Sequence, residues 1–496
     1  MYAFAGLDIG TSGCKIVVFD EQGKNICQAS RAYHEISNCA GQRELQPTVV
    51  INAVYETLKE IGEKTTVNIR TLTIASLGES IVCLDKSGKV LGNSIVTGDD
   101  RGKEEVSEIE AMFGKKHIME VTGLPISEMY GLPKYRWLSK NSDIFKRTSM
   151  IFFYEDLIGY LLTGKRKVSY SSASRSMAFD IYKKKWNNPL LVAAGLDEKL
   201  FSEPVESGTI LGPVLPLMSK KLNLSSNLVV VVGAHDQVCA GLGSGILNCN
   251  SIEDGHGTCE VVLSVLPKES MQNLDFMLDN ELPCEPYVNG LFVTTLEITT
   301  CGILTNWGRD VLFSAEKQKF GDQFFYKMDS QAQNEEISDL LILPQFGSSG
   351  NPGVNYSARG LIWGLTTDTT NIQLYRAFKE SMAYQMKMNL DVLENLGIKP
   401  KKIIMTGGGS HSEFTKEITA NVFGLDVMCL QTTEAGALGA AILGAFADKI
   451  YESLPKTVSM MVHENKKVKP NFEIKEKYNS VVKKYKKLFM IMHNFA

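Results

Sequence analysis

The chain has 496 residues, room for two or more domains of ordinary size. Hydrophobic residues make up 44% and charged residues 22%, a globular balance, and a formal net charge of -4 excludes an overall basic field that would draw nucleic acid. No apolar run reaches the roughly 18–20 residues of a membrane span. Ten cysteines lie without a C-x-x-C pair, and Cys239, Cys249 and Cys259 lack partners for a zinc pattern. Reduced, mostly buried thiols in a cytoplasmic protein are expected.

Ala3 to Ile9 reads as a strand, so a signal peptide is not expected. Gly10 to Cys14 then turns, and Ile16 to Phe19 returns as the second arm of a hairpin. "DEQG" at 20–23 is a second turn signal. Apolar strands alternate with helical patterns to about residue 245, which predicts an α/β domain. In "LVVVVGAHDQVCAGLGSGIL" (228–247) a buried strand is expected to stop at Gly233. "SIEDGHGTCEVVLSV" (251–265) repeats the opening theme of strand, Gly-Thr turn and β-branched return. Two such hairpins predict a duplicated architecture with a boundary near 247–251, giving domains 1–247 and 251–496.

In the second half, Thr370 or Asn371 caps a helix carrying Leu374, Phe378 and Met382, with Gly397 past its end. Residues 401–424 read as strand, glycine turn and helix, stopped by Gly424. Residues 432–448 read as a small-residue helix capped by a threonine. The Lys-rich tail from Glu464 to Lys487 reads as a solvated helix face.

Three segments carry chemistry. In "DIGTSGCK" (8–15) the glycines let backbone N–H groups approach an anion, Thr11 and Ser12 add hydroxyls, and Lys15 adds charge. Asp8 would repel a bare phosphate and makes sense beside Mg²⁺, which prefers carboxylate, water and phosphate oxygens. The Walker A spacing is absent, and an ordinary Gly-Thr hairpin has the same sequence. In "GAHDQ" (233–237), Asp236 follows a buried strand, where ligand sites of α/β sheets lie. It can take a proton from an attacking hydroxyl, or simply cap a helix. Gln237 can bind sugar hydroxyls, and His235 is expected to be a packed histidine. In "TGGGSHSEF" (406–414) three glycines admit a flat ligand against the backbone, without the dinucleotide G-x-G-x-x-G.

Taken in order, "DIGTSGCK", "LDKSGKVLGNSIVTGDDR", "GAHDQ", "ARGLIWGL", "MTGGGSHSEFTKEITANVFGLDV" and "EAGALGAAILGAF" resemble the FGGY carbohydrate kinases over nearly the whole chain. The resemblance implies two ribonuclease-H-like domains of the actin-like ATPase type, with ATP in a cleft between them and transfer of its γ-phosphate to a sugar or polyol hydroxyl. It implies Asp236 as catalytic base and Asp8 as the Mg²⁺ residue. Gly10, Thr11, Ser12 and Lys15 would face the terminal phosphates, with Gly257 and Thr258 as a second phosphate loop. Gly407, Gly408, Gly409 and Ser412 would line the adenosine site. Asp99, Arg101 and Gln237 match sugar-contacting stretches.

The substrate pocket departs from the family's commonest patterns. Where xylulose kinases carry Q-M-H-G, this chain has Leu77-Gly78-Glu79-Ser80. Glycerol kinases carry R-E-T-T there, so Glu79 has precedent, but Gly78 stands in place of their Arg. Glu79, Asp99, Asp236 and Gln237 would make an acceptor-rich pocket favouring a neutral sugar over an acidic one such as gluconate. A ketopentose such as xylulose is expected first, a deoxy-ketose or polyol next. Glu79 as an ion-paired residue, and Arg101 as the partner of a nearby acid, are the plain alternatives. A catalytically silent sugar or nucleotide sensor and a chaperone-like or filament-forming ATPase are the rival functions. Neither nucleic acid nor membrane is an expected partner. Kinases of this kind are often dimers, so a homodimer is an expected assembly.

Overall fold

The computed structural model describes residues 2–38, 41–347, 350–351 and 358–493. Their backbone falls into two units. The first holds Met1–Leu247, Pro283–Val293 and Glu434–His463; the second holds Asn248–Leu282, Thr294–Thr433 and Glu464–Ala496.

The first unit is built on one sheet. β1 (Ala3–Ile9) and β2 (Gly13–Asp20) form the expected hairpin, the return arm starting at Gly13 because Gly10 N–H closes the turn onto the Gly13 carbonyl at 2.9 Å. The 20–23 turn leads into β3 (Asn25–Ala32), antiparallel to β2, with Gly23 at φ +74°. β4 (Ile69–Ser76) runs parallel to β1. β5 (Ile210–Pro213) is antiparallel to β6 (Val229–His235), which is parallel to β4. The strand order is β5-β6-β4-β1-β2-β3. β6 does not stop at Gly233: the register shifts between Val232 and Ala234, so the glycine is a bulge and the strand continues to His235.

Helices cover both faces, as buried parallel strands require. Pro47–Lys64 turns Val50, Val54, Leu58 and Ile61 inward at helical spacing, with Pro47 tolerated in its first turn. The helix Ala435–Ala447 is buried on nearly every side, packed on β1 and β4 and against the helix Asp236–Gly243. It begins at Ala435, not at residue 432, and no threonine caps it; Glu434 precedes it and carries no cap hydrogen bond.

The second unit repeats the plan. β7 (Ser251–His256) and β8 (Glu260–Val265) form a hairpin, β9 (Phe292–Ile298) flanks β8, and β10 (Lys402–Gly407) and β11 (Asp426–Leu430) run parallel beside β7. β12 (Glu464–Val468) closes the order β9-β8-β7-β10-β11-β12. A hairpin followed by parallel strands thus recurs in both units, as the two Gly-Thr turns foretold.

The helix Asn371–Leu393 starts with a capping box, Thr370 Oγ1 accepting from Gln373 N–H and Gln373 Oε1 from Thr370 N–H. Gly397 and Gly424 adopt the left-handed conformation that ends helices. The tail, expected as a helix face, is β12 followed by the helix Phe472–His493, whose Val481, Tyr485 and Phe489 are buried, with Lys477, Lys483, Lys484 and Lys487 exposed and Lys475 and Lys486 half-buried.

Candidate active site

In the first unit β1, β4 and β6 end level, with Ile9 opposite Ser76 and Ser76 opposite His235. Asp8 lies near the end of β1, Glu79 just past β4, and Asp236 just past β6. Three carboxylates from distant stretches therefore meet at the carboxyl edge of parallel strands, where α/β sheets place their chemistry.

Asp236 opens the helix Asp236–Gly243, and its Oδ1 accepts from Gln237 N–H at 2.7 Å. Its side chain keeps 30% exposure, an open side from which a hydroxyl can approach. Burial, then the Asp8 charge, pushes its carboxyl up to about 8. His235 Nε2 stands 3.1 Å from Asp236 Oδ1. Burial, then Arg175, drives the imidazole far below its ordinary value, so it is neutral and can donate one N–H to Asp236.

Asp8 is pushed up to about 6 by burial, then by Glu434, against the pull of Lys15. Lys15 Nζ donates to both oxygens of Glu434 at 2.8 and 2.9 Å. Glu434 thus joins the Gly10–Lys15 segment from the far end of the sequence. A Cβ at Gly436 would stand 2.7 Å from Asp8 Oδ2, so only glycine leaves that carboxylate its place. Tyr33 holds the Gly10–Gly13 turn from behind, its hydroxyl donating to the Gly10 carbonyl at 2.7 Å and its N–H to the Ser12 carbonyl at 3.0 Å. Thr11 and Ser12 sit in this turn, with Ser12 exposed.

Glu79 is buried and sits at φ +42°, a left-handed conformation that costs a non-glycine residue about 1–3 kcal/mol. Its Oε2 accepts from Thr97 Oγ1 at 2.7 Å, and its Oε1 pairs with the Arg175 guanidinium. Arg175 also donates to Glu285 at 3.0 and 3.1 Å and lies over the Tyr130 ring. A Cβ at Gly78 would come within 2.8 Å of Arg175 Cγ. The absence of a side chain at position 78 thus leaves room for the stem of Arg175, whose guanidinium reaches Glu79.

Asp99 and Arg101 pair with each other. Arg101 donates to Asp99 Oδ1 through its N–H and Nε, each at 2.8 Å, and to Glu44 at 2.7 Å. Burial works to raise the Asp99 carboxyl, but hydrogen bonds from Arg101 and the Arg43 N–H outweigh it and hold it below its ordinary value. Arg175 is shared between Glu79 and Glu285, and Arg101 between Asp99 and Glu44, so these two cations face four carboxylates and the acidic excess is reduced but not cancelled. Buried Lys134, held by the Thr97 and Met129 carbonyls at 3.3 and 3.0 Å, adds a further cation, its ammonium lowered by burial to about 8.

In the second unit, Gly257 and Thr258 form the β7–β8 turn, and the Gly302 N–H donates to the Gly257 carbonyl at 3.1 Å. Gly407 lies opposite His256 in the β7–β10 register and begins the glycine turn at φ +70°. Gly408 and Gly409 continue it as a single turn of 3₁₀ helix. Ser412 caps the helix Glu413–Phe423, accepting from Thr415 N–H at 3.0 Å, and donates to Asp329 at 2.6 Å. Its hydroxyl therefore has a structural task.

Glu434, Arg175, Glu285, His235 and Lys134 escaped the sequence reading of the site. His235 lies inside "GAHDQ" and Glu434 opens "EAGALGAAILGAF", but the sequence reading gives neither a role in the site; Arg175, Glu285 and Lys134 sit in none of the quoted motifs.

Two sheets of this kind, one carrying a carboxylate cluster beside a glycine turn, define a phosphotransferase of the actin-like ATPase fold. The model of the FGGY carbohydrate kinase N-terminal domain matches residues 3–243, and that of the C-terminal domain matches residues 280–447. The chain belongs to the FGGY family of carbohydrate kinases and is a sugar phosphotransferase. A xylulose kinase of Bacillus subtilis is 24% identical over 489 residues, covering 98% of this chain and 96% of the relative. An autoinducer-2 kinase of Yersinia enterocolitica is 26% identical, covering 96% and 92%. Among solved structures, a ligand-bound xylulose kinase and a gluconate kinase, both from Lactobacillus acidophilus, superpose with TM-score 0.89 at 23% identity. The first covers 100% of both chains, the second 99% of this chain and 98% of its own. Among the described residues no helix is long and apolar enough to cross a membrane.

Proposed function

We propose that this enzyme phosphorylates a ketose, a ketopentose such as xylulose first and a deoxy-ketose or polyol next, using Mg²⁺-ATP. The observation that carries the reading is Asp236, half-buried at the end of β6 beside Asp8, with one face open. The sugar hydroxyl approaches that face, Asp236 takes its proton, and the oxygen attacks the γ-phosphate in line. Lys15 and the N–H groups of the Gly10–Gly13 turn orient the terminal phosphates, while Gly257 and Thr258 serve as a second phosphate loop. Gly407 to Gly409 accept adenosine, with Ser412 supporting the turn.

The donor set fits Mg²⁺. Asp8 and Asp236 offer carboxylate oxygens, both raised first by burial and then by a neighbouring carboxylate, Glu434 for Asp8 and Asp8 for Asp236. Asp8 is the residue that would hold the ion, and the bound ion would neutralise phosphate charge. Glu79, Asp99, Arg101 and Gln237 shape the sugar pocket, with Glu79 set by Arg175. The names of the xylulose kinase relatives support the choice of ketopentose. Free thiols in the nine described cysteines agree with a cytoplasmic enzyme, and a homodimer is its expected assembly.

A panel of ketopentoses, deoxy-ketoses, ketohexoses, gluconate and polyols, read by ADP release, tests the reading. One ketopentose should stimulate release far above the rest. Gluconate as best substrate would refute the substrate class, and ATP binding without stimulation by any sugar would favour a silent sensor.

A further inference from the structure

We propose that His256, Glu260 and Cys301, with Asp254, form a buried site for a transition-metal cation of the zinc class, stapling the β7–β8 turn to the segment that precedes the helix Gly302–Trp307. The ligand atoms of His256, Glu260 and Cys301 lie within 4.8 Å of one another, and all three residues are buried. Ligands around a four-coordinate Zn²⁺ stand roughly 3.3–3.8 Å apart, given Zn–N and Zn–S distances of about 2.0–2.3 Å. Small side-chain rotations close that difference. The donor set of imidazole, thiolate and carboxylate suits Zn²⁺ or Co²⁺ and not Mg²⁺, which wants oxygen alone.

A second observation concerns the same carboxyls. Asp254 Oδ1 and Glu260 Oε2, on residues that are each 2% exposed, accept from no fixed donor, and the Glu260 carboxyl interacts within the cluster with Asp254, Cys301 and His256. Buried carboxylates are normally hydrogen-bonded, paired or bound to metal. Asp254 Oδ2 lies 3.0 Å and Glu260 Oε1 3.9 Å from His256 Nε2, so a single imidazole faces two carboxyls and a thiol.

The position gives such a cation a consequence. His256 and Glu260 bracket Gly257-Thr258, the turn already docked on Gly302. A Cβ at Gly409 would stand 2.6 Å from His256 Nδ1, so the same imidazole supports the glycine turn at the end of β10. A cation at this point would fix both turns at once.

The test uses the full-length protein stripped by chelation and then titrated with Co²⁺. The expected result is about one Co²⁺ per chain in a four-coordinate visible spectrum, with a thiolate-to-cobalt charge-transfer band in the near ultraviolet. Cys301→Ser should lose that band and weaken binding at least ~10-fold, as expected when one ligand of a metal site is exchanged. Zn²⁺ should displace the Co²⁺ stoichiometrically. A wild-type spectrum showing only six-coordinate, oxygen-type Co²⁺ with no thiolate band would overturn the proposal, because that signal belongs to the carboxylate cluster of the first unit. A thiolate band unchanged in folded Cys301→Ser would overturn it too.

Discussion

His235 Nε2 stands 3.1 Å from Asp236 Oδ1, a neutral buried imidazole set against a carboxylate raised to about 8. The contact makes His235 a positioning residue: its N–H favours the ionised form of Asp236 and fixes the direction of its free oxygen. Replacing it by Leu should lower kcat about 10–100-fold, the worth of one hydrogen bond to a charged group. KM for sugar should change little, the acid limb of the pH profile should move to higher pH, and His235→Gln should restore part of the rate. An unchanged pH profile in His235→Leu would reduce the residue to packing.

The pH dependence follows from the carboxylate cluster. As the proposed base, Asp236 works ionised, so kcat/KM should fall as pH drops below about 8, far above an ordinary aspartate. Because Asp8 and Asp236 interact, the limb belongs to the pair. Stability runs the opposite way. Between pH 4 and 8 the unfolded chain has lost the Asp236 proton and the folded chain keeps it, so stability falls as pH rises through that window. Asp236→Asn carries no such charge and should melt higher than wild type at pH 8.5, with the gap closing towards pH 4. Melting curves of both proteins across pH, without nucleotide or Mg²⁺, check the sign.

Arg175 holds two buried carboxylates, Glu79 and Glu285. Arg175→Met removes the cation and leaves both unpaired, and should cost about 3–5 kcal/mol of stability, measured by urea unfolding. The double variant Arg175→Met with Glu285→Gln should recover part of that loss. Its KM for sugar should stay raised, because Glu79 loses the partner that sets it.

Gly436→Ala places a methyl group where Asp8 Oδ2 now sits. The helix should tolerate alanine, so the fold should survive while Asp8 shifts. The Mg²⁺ concentration for half-maximal rate should rise at least several-fold with KM for sugar nearly constant. Equal Mg²⁺ dependence in variant and wild type would remove Asp8 from the ion's site.

Much of this arrangement is legible in the chain itself. Both Gly-Thr hairpins, the Thr370 cap, the Gly397 and Gly424 stops and the strand leading to Asp236 follow from local rules of turn chemistry and periodicity. The errors were local too. A glycine bulge at Gly233 looks like a strand end, and a threonine before a helix looks like a cap. What escaped was long-range. Arg175 reaches Glu79 across 96 residues, and Lys15 reaches Glu434 across 419. No spacing rule links residues that only the parallel strand order brings together. The Arg101–Asp99 pair, two residues apart, was legible as an alternative, whereas the Arg175 partner of Glu79 was not.

The most direct measurement is transfer of labelled γ-phosphate from ATP to a ketopentose in a single turnover, comparing wild type with Asp236→Asn. Wild type should yield labelled sugar phosphate, and the variant should be slower by ~10²–10⁴-fold while binding ATP nearly as well. A variant that transfers phosphate at the wild-type rate would contradict Asp236 as the base and the mechanism built on it.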